Sequence, residues 1–175
     1  VGLGYVGLPL AIEFAQKGYK TLGFDIDKNK VNLLNKGEIY LKHLQNINIK
    51  NLVENDFLKA TNNMEDANNV DVLILCLPTP LNKYREPDLS FILKTLDALL
   101  PNFKKGQLIS LESTTYPGTT EEIICPLLTK QGFKVGEDFF VIYSPEREDP
   151  LNHTFNIQNI PKVVGGSTTT CKEVG

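Results

Sequence analysis

Three glycines at the start of the chain are spaced in a way that suits a phosphate-binding turn. Residues 1–7 read VGLGYVG, so Gly2, Gly4 and Gly7 form a G-x-G-x-x-G pattern. The first glycine permits a tight turn between a strand and a helix, the second lets a pyrophosphate approach the backbone, and the third lets the helix pack close to the sheet. The pyrophosphate would then contact N–H groups at the amino end of that helix. The pattern therefore predicts a dinucleotide site.

The residues that follow the glycines strengthen this prediction. Residues 8–15 are apolar with helical spacing, and Gly18 is placed to end that helix. Residues 19–24 read as a short strand that ends at Asp25, roughly 20 positions after the glycines. A carboxylate at this position accepts a hydrogen bond from a ribose 2′-OH and favours NAD over NADP. Alternatively, Asp25 caps the next helix, although Asp27 is better placed to do so.

Composition and charge exclude several classes of protein. The 175 residues suffice for one domain with a core, and the formal charge of −3 is mixed along the chain. The sequence has no basic footprint for nucleic acid or an anionic membrane, and no apolar run long enough to cross a bilayer. Cys76, Cys125 and Cys171 are widely spaced and odd in number, which favours a reducing cytoplasm over a disulfide framework. Their spacing matches no zinc site, so we expect no metal.

Strand-like and helix-like segments alternate along the chain. The pattern predicts strands at 57–61, 70–76, 107–111, 139–143 and 162–164, helices at 29–35, 89–99 and 119–128, and one or two short surface helices within 38–56. Residues 70–76 read as a strand buried on both faces, and Thr119 or Thr120 is expected to cap the helix that follows. The alternation predicts an α/β fold, Rossmann-like and doubly wound, with a largely parallel sheet and helices on both faces. No strand precedes Gly2, so the first strand is expected to be truncated.

Polar loops follow three of the predicted strands. Residues 76–80 read CLPTP, residues 112–120 read ESTTYPGTT, and residues 143–150 read YSPEREDP. Proline, serine and threonine are ordinary turn residues, so any one of these loops could be simple turn chemistry. Ligands of parallel sheets bind beyond the carboxyl ends of the strands. Three such loops on the edge that carries the glycine turn therefore favour a rim for cofactor and substrate.

The ordered set of motifs is more specific than any one of them. The segments GLGYVGLPLA, CLPTPL, ESTTYPGTTEE, YSPEREDP and IPKVVGG occur in this order over essentially the whole chain. They resemble the N-terminal NAD-binding domain of the UDP-glucose/GDP-mannose dehydrogenase family, and within it the 6-dehydrogenases of UDP-N-acetylglucosamine or UDP-N-acetylmannosamine. The resemblance implies oxidation of the C6 alcohol of a nucleotide sugar to a carboxylate with two NAD⁺, through an aldehyde and a cysteine-linked thioester. It also implies bacterial polysaccharide synthesis and a homo-oligomer, a dimer, at full length.

The resemblance also implies roles for particular residues. The implied cofactor-binding residues are Gly2, Gly4, Tyr5, Val6, Gly7, Asp25, Lys30, Pro78, Thr79 and Thr114. Thr114 matches a threonine near the nicotinamide and the catalytic water, and Glu146 matches a glutamate that handles this water as a general base. Glu146 and Arg147 are implied to contact the substrate. From the residues alone, Glu146 could instead be a structural carboxylate paired with Arg147.

Departures from the family pattern limit what we expect of these residues. The family nucleophile, a cysteine in a Gly-Gly-x-Cys loop, and its partner lysine and asparagine do not occur here, and the three cysteines are expected to be inert. Leu151 stands where the subgroup has glycine. We therefore expect residues 1–175 to be a Rossmann domain incomplete at both ends, without the central helix and the C-terminal sugar-nucleotide domain, and inactive alone.

Three alternatives remain at this point. The first is a single-step NAD-dependent dehydrogenase of the 3-hydroxyacid type, which needs no thioester and makes one NADH per substrate. The second is a non-catalytic nucleotide-binding module. The third is the same double oxidation with UDP-glucose or GDP-mannose as the substrate.

Overall fold

Helices and strands alternate along the chain and form two compact units. The computed structural model describes residues 1–146 and 160–175. The first unit is Val1–Asp66 and the second is Ala67–Gly175. Each contains parallel strands that are joined through helical segments, which confirms the predicted α/β class.

The first unit contains two parallel strands and three α-helices. Strand β1 (Thr21–Phe24) pairs with β2 (Leu58–Thr61) in parallel. The helices are α1 (Gly7–Gln16), α2 (Lys28–Asn35) and α3 (Lys50–Glu54), with a 3-10 turn at Lys42–Leu44. These elements confirm the predicted helices and strands of this part of the chain, with small changes at their ends.

Apolar spacing determines which side of α1 is buried. Leu8, Ile12 and Ala15 recur at helical intervals and are each no more than 2% exposed. The chain leaves the helix at Gly18, whose φ of 89° lies in the left-handed region that glycine adopts without strain. The predicted stop at Gly18 is therefore confirmed.

Side-chain hydrogen bonds fix both ends of α2. At its start, the Asp27 carboxylate accepts a hydrogen bond from the N–H of Asn29 at 2.9 Å, so Asp27 rather than Asp25 is the cap. At its end, the Asn35 amide donates to the carbonyl of Ala60 and accepts from its N–H, both at 2.8 Å. Asn35 thereby satisfies both backbone groups of a β2 residue and ties the helix to the strand.

Three parallel strands lie side by side in the second unit. Strands β3 (Val72–Leu75), β4 (Leu108–Leu111) and β5 (Phe140–Tyr143) pair in that order, with the first residue of each strand opposite the first residue of its neighbour. A short strand, β6 (Gly165–Gly166), joins β5 in the antiparallel direction. The predicted parallel character therefore holds for β3, β4 and β5.

Helical segments connect the strands of the second unit. Helix α4 (Ser90–Leu99) lies between β3 and β4 in sequence, α5 (Cys125–Lys130) lies between β4 and β5, and α6 (Thr169–Val174) follows β6. Further 3-10 turns lie at Met64–Asn69 and Leu100–Asn102. Sequence reasoning missed α6, which begins where the Thr168 hydroxyl accepts a hydrogen bond from the N–H of Cys171 at 3.0 Å.

Burial within the sheet follows the position of each strand. All four residues of β4 are buried, because this strand lies between β3 and β5. In β3, Leu73 and Leu75 are 2% and 0% exposed, whereas Val72 is 51% exposed. The prediction of a strand at 70–76 buried on both faces is therefore wrong at Val72. An apolar run does not distinguish a strand with neighbours on both sides from one that is first in the order of its sheet.

A proline changes the start of the helix predicted at 119–128. A π-helical turn, Thr120–Ile124, precedes α5. Pro126 has no N–H and cannot form the usual bond to the carbonyl four residues earlier, so a wider turn precedes it. Thr119 already has helical dihedral angles (φ −54°, ψ −39°) and forms no capping bond, while the Thr120 hydroxyl donates to the Glu121 carboxylate. The predicted cap at Thr119 or Thr120 is therefore wrong.

The strand predicted at 162–164 is also wrong, because the strand pairing begins at Gly165. A Cβ at Gly166 would collide with the backbone of Lys172 in α6, so this close approach admits glycine alone. The apolar pattern pointed to Val163 and Val164, which are 54% and 37% exposed. The position of β6 therefore follows from close packing of its backbone against α6 and not from burial of apolar side chains.

Gln107 holds three backbone groups together in the second unit and is 0% exposed. Its carbonyl accepts from the N–H of Lys104 at 2.8 Å, and its amide donates to the carbonyls of Ala67 and Val70 at 2.8 and 2.7 Å. In Gln107→Leu these groups lose their partner, and we expect a local destabilisation of about 2 kcal/mol. Hydrogen exchange of the β3 and β4 amides, measured by mass spectrometry, should then be about 30-fold faster.

The matched control is Gln131→Leu, at an exposed position just after α5. This substitution should leave exchange in β3 and β4 unchanged, because surface substitutions have small effects. Unchanged exchange in Gln107→Leu as well would contradict the role assigned to Gln107.

Candidate functional site

The glycine turn in the first unit has the backbone shape that a phosphate site requires. Gly2 has a φ of 87°, and its N–H donates to the carbonyl of Phe24 at 2.8 Å. Gly7 is buried and begins α1. A Cβ at Gly4 would meet no atom within 4 Å, so nothing in the described residues requires glycine there. The approach of a ligand to the backbone does give a reason for glycine at this position.

The amino end of α1 is suited to bind an anion. The residue that precedes the helix, Val6, forms no side-chain cap, and the first turn contains no acidic residue. The N–H groups of the first turn and the positive end of the helix dipole therefore face no side-chain carboxylate of their own turn. A pyrophosphate is the anion that this combination of glycines and helix end fits best.

Asp25 braces the glycine turn and keeps room for one more donor. Asp25 is 9% exposed. Oδ2 accepts from the N–H of Leu3 at 3.0 Å and from the Lys30 ammonium at 3.3 Å, and Oδ1 accepts from the N–H of Asp27 at 2.9 Å. An ionised carboxylate offers about four acceptor positions. The three bonds therefore leave about one position on Oδ1 that a ribose hydroxyl can use.

Tyr40 supports the same turn, and sequence reasoning missed it. Its hydroxyl donates to the carbonyl of Leu3, and the Lys30 ammonium lies 5.8 Å from the centre of its ring. Burial, followed by the charges of Asp25 and Asp27, raises the pKa of Tyr40, so the hydroxyl stays protonated as a donor. A tyrosine within the Asn- and Lys-rich stretch 38–56 was the available signal.

The Tyr5 side chain lies outside the hydrogen bonds that fix the turn. Its ring stacks on His43 with centroids 5.3 Å apart and an interplanar angle of 11°, and the residue is 76% exposed. The exposed ring of Tyr5 is therefore accessible to a ligand.

Hydrogen bonds continue beyond the carboxyl ends of the parallel strands in the second unit. The N–H of Glu112 donates to the carbonyl of Leu75 at 3.0 Å, and the N–H of Ser144 donates to the carbonyl of Leu111 at 3.0 Å. The N–H of Glu146 donates to the carbonyl of Glu112 at 3.3 Å. The loops after β4 and β5 are therefore held side by side at one edge of the sheet, as the sequence predicted.

This edge carries a compact cluster of charged side chains. The Lys162 ammonium lies 2.5 Å from Oε2 of Glu112 and 3.8 Å from Oε2 of Glu146. The Ser110 hydroxyl donates to Oε1 of Glu112 at 2.8 Å. The side chains of Glu112, Glu146 and Lys162 are 6%, 15% and 31% exposed. We name these four residues the edge cluster; Glu112, Lys162 and Ser110 were missed as site residues, although Glu112 and Lys162 fall within the motifs ESTTYPGTTEE and IPKVVGG.

The predicted residues of the loops after β3 and β4 flank one fixed serine. The Ser113 hydroxyl accepts from the N–H of Leu77 at 2.9 Å and donates to the carbonyl of Leu75 at 3.3 Å, which ties the two loops together. Thr114 follows this serine and is exposed, and Pro78 and Thr79 follow Leu77 as exposed and half-buried residues. Arg147 and Leu151 lie outside the described residues.

A cavity of about 390 Å³ opens next to this loop. It is lined by Thr115, Tyr116, Pro117, Gly118, Thr119, Thr120, Glu121, Tyr143, Gly165 and Gly166. None of the predicted site residues that the structure describes lines it. The cavity has the volume of a small-molecule pocket.

The cysteines lack the environment of a nucleophile. Burial raises the pKa of the Cys76 thiol from 9.0 to about 11 and also raises the pKa of Cys125. Cys171 is 0% exposed, and its sulfur accepts from the N–H of Val141 at 3.4 Å. A raised pKa keeps a thiol protonated, and a reactive cysteine needs the thiolate. These surroundings suit the inert role predicted for all three.

The described residues contain neither a metal-binding cluster nor a helix that could span a membrane. Residues 1–146 and 160–175 contain no group of three or more His, Cys, Asp and Glu side chains that could hold a metal ion. Over the same residues, no helix has the length and apolar character needed to cross a membrane.

The match to a known family extends over the full sequence. Residues 1–175 match the model described as "UDP-glucose/GDP-mannose dehydrogenase family, NAD binding domain". The chain belongs to this family. Membership confirms the resemblance that the ordered motifs indicated. The match is to the NAD-binding domain of the family, so the cofactor of this chain is NAD.

Individual relatives agree with the assignment. The chain is 39% identical over 175 residues to the UDP-N-acetyl-D-glucosamine 6-dehydrogenase of Pseudomonas aeruginosa, covering 99% of this chain and 40% of that protein. It is 34% identical over 167 residues to the UDP-N-acetyl-D-mannosamine dehydrogenase of Pyrococcus horikoshii, covering 95% and 40%. The native structure of the UDP-N-acetyl-mannosamine dehydrogenase Cap5O from Staphylococcus aureus matches with a TM-score of 0.85 and 35% identity, covering 99% and 42%. The chain thus spans about 40% of the length of these curated relatives. The structural similarity to the dehydrogenase from Staphylococcus aureus confirms the predicted Rossmann-like fold class.

Asp25→Asn tests the double use of the Asp25 carboxylate. Asparagine has one acceptor oxygen, so either a backbone N–H of the turn or the ribose hydroxyl loses a charged acceptor. We expect the dissociation constant for NAD, measured by calorimetry on the full-length protein, to rise about 10-fold or more. Asp27→Asn is the control, because asparagine caps a helix as well as aspartate does. Equal affinities for NAD in the two variants would contradict the role of Asp25.

The Cys76 thiol should react slowly with an alkylating reagent. A pKa of about 11 in place of 9.0 lowers the thiolate fraction at pH 8 about 100-fold. The alkylation rate with iodoacetamide, followed by mass spectrometry of the Cys76 peptide, should be lower than that of a small free thiol by about this factor. The rate should rise with pH up to about 11, and a rate at pH 8 equal to that of the free thiol would show that Cys76 is activated.

Proposed function

We propose that the full-length protein is an NAD-dependent 6-dehydrogenase that oxidises the C6 alcohol of a UDP-N-acetylhexosamine to a carboxylate. The observation that carries this proposal is the agreement of almost the whole chain with dehydrogenases of UDP-N-acetyl-D-glucosamine and UDP-N-acetyl-D-mannosamine from different organisms. The polar edge of the second unit, with a carboxylate and a threonine hydroxyl in adjacent loops, supports it. In this proposal residues 1–175 are the NAD-binding domain of the enzyme.

The glycine turn and the strand ends supply the cofactor contacts in this proposal. The backbone of Gly2, Gly4, Tyr5, Val6 and Gly7 binds the pyrophosphate, since the helix end and the open Cβ position at Gly4 suit it. Asp25 accepts from the adenosine ribose, with Lys30 beside it. Pro78 and Thr79 line the groove, and Thr114 lies near the nicotinamide.

The chemistry requires a base and a positioned water. Conversion of an alcohol to a carboxylate removes two hydrides and adds one oxygen from water, and NAD⁺, when bound, accepts hydride from the alcohol carbon. Glu146 accepts a proton from the water as general base, and the Thr114 hydroxyl orients that water. The side chain of Glu146 is 15% exposed, and its Oε2 lies 3.8 Å from the Lys162 ammonium. Arg147 contacts the substrate.

The wider setting is part of the same proposal. The product is a nucleotide-linked uronic acid, a building block suited to acidic polysaccharides. The three free cysteines favour a reducing compartment, the cytoplasm, where NAD is available. We propose that the full-length protein forms a homodimer and binds neither nucleic acid nor membrane.

The number of NADH molecules per sugar tests the proposed function. With excess NAD⁺ and a limiting amount of UDP-N-acetylglucosamine, UDP-N-acetylmannosamine, UDP-glucose or GDP-mannose, absorbance at completion counts the hydrides. We expect two NADH per molecule with a UDP-N-acetylhexosamine and a uronic acid by mass spectrometry. One NADH per substrate would instead favour a single-step dehydrogenase, and no NADH with any sugar would favour a nucleotide-binding module.

Glu146→Gln tests the proposed general base. The amide keeps the size of the side chain but cannot accept the proton, so we expect kcat of the full-length protein to fall about 10²- to 10⁴-fold. The affinity for NAD should stay within about twofold, since the effect of this substitution is on the proton-transfer step. Glu137→Gln is the control, because Glu137 is 71% exposed and pairs with Lys134; equal kcat values in the two variants would exclude Glu146 as the base.

A further inference from the structure

We propose that Lys162 is a positioning residue that fixes the carboxylate of Glu146 by bridging it to the buried carboxylate of Glu112. The proposal rests on the proposed function, because it gives Lys162 a role through the general base of that reaction. Lys162 belongs to the segment IPKVVGG, which the sequence singled out but to which no role had been given.

Glu112 is the fixed end of the bridge. Its side chain is 6% exposed, and the Ser110 hydroxyl holds Oε1 at 2.8 Å. Its backbone N–H donates to Leu75, and its carbonyl accepts from the N–H of Glu146. Backbone hydrogen bonds thus fix the main chain of Glu112, and the Ser110 hydroxyl fixes its side chain. Lys162 bonds to the remaining oxygen, Oε2.

Lys162 links the side chains of Glu112 and Glu146. Its side chain is 31% exposed, and its ammonium lies within 3.8 Å of an oxygen of each carboxylate. Two carboxylates on one edge repel each other, and a cation that lies near both offsets this repulsion. Loss of the ammonium would remove a positive charge that lies close to both carboxylates.

The geometry separates the two contacts of Lys162. The bond to Glu112 is within hydrogen-bond distance, whereas 3.8 Å to Glu146 is an ion-pair distance. Lys162 therefore attracts the Glu146 carboxylate without a short hydrogen bond to its Oε2. A lysine can do this because its ammonium is a compact charge with three donors.

A purely structural ion pair gives different expectations from a positioning role. If the bridge only stabilised the fold, substitution of Lys162 would lower stability and leave the turnover of the folded enzyme unchanged. If it positions Glu146, turnover falls in folded enzyme, and the effect depends on the presence of Glu146. A displacement of a catalytic group by about 1 Å can lower the reaction rate about 10²-fold.

The test uses the full-length enzyme with Lys162→Met, Lys162→Arg and the control Lys104→Met. Lys104 also forms an ion pair, at 3.6 Å to Asp71, but its side chain is 41% exposed and lies outside the edge cluster. We expect Lys162→Met to lower kcat about 10- to 100-fold with the KM for NAD⁺ within about threefold. Lys162→Arg should recover most of the loss because it keeps the charge, and Lys104→Met should match the unsubstituted enzyme. Circular dichroism verifies the fold, and Lys162→Gln replaces Lys162→Met if the latter does not fold.

A double substitution decides whether Lys162 acts through Glu146. In a Glu146→Gln background, Lys162→Met should cause little further loss, because the group that it positions has already been changed. An unchanged kcat in Lys162→Met, or losses that multiply in the double variant, would overturn the proposal. The stoichiometry of two NADH per sugar in unsubstituted enzyme is measured separately, so failure of the proposed function and failure of the bridge give distinct results.

Discussion

Parallel pairing without offset is the constraint on which the second unit depends. Strands β3, β4 and β5 align residue by residue, so their carboxyl ends coincide and the loops that follow start at one edge. Backbone bonds from Glu112 to Leu75 and from Ser144 to Leu111 extend the same alignment past the strands. A one-residue slip in this pairing would turn Ser110 and Glu112 to the other face. The edge cluster therefore depends on the register of the sheet before it depends on any side chain.

The charges at this edge impose a second constraint. Glu112 and Glu146 belong to different loops, and the nearby cation comes from a residue 50 positions after Glu112. A buried carboxylate without a partner is costly, whereas a paired one depends on good geometry. The segment that contains Lys162 must therefore return to the sheet for the cluster to form, and β6 together with Gly166 against α6 holds the residues just after it.

Local signals in the sequence predicted the elements that local contacts determine. The glycine turn, the stop at Gly18 and the cap at Asp27 follow from conformational preference over a few residues, and parallel strands follow from the alternation of helix and strand. The bridge through Lys162 could not be predicted, because it joins residues that are distant in sequence. The predicted strand at 162–164 failed for a related reason, since the close approach of Gly166 to α6 is a tertiary contact.

In the first unit, one carboxylate holds the turn together and, in the proposed function, also binds the cofactor. Asp25 holds Leu3 and Asp27 through their N–H groups, and Tyr40 holds the carbonyl of Leu3 from the other side. These bonds order the glycine turn when the protein folds. The conformational entropy of the turn is therefore lost on folding rather than on ligand binding. An anion that reaches the end of α1 then meets N–H groups already in place. Because the bonds leave about one acceptor position on Oδ1, the residue that shapes the turn is also available to a ribose hydroxyl.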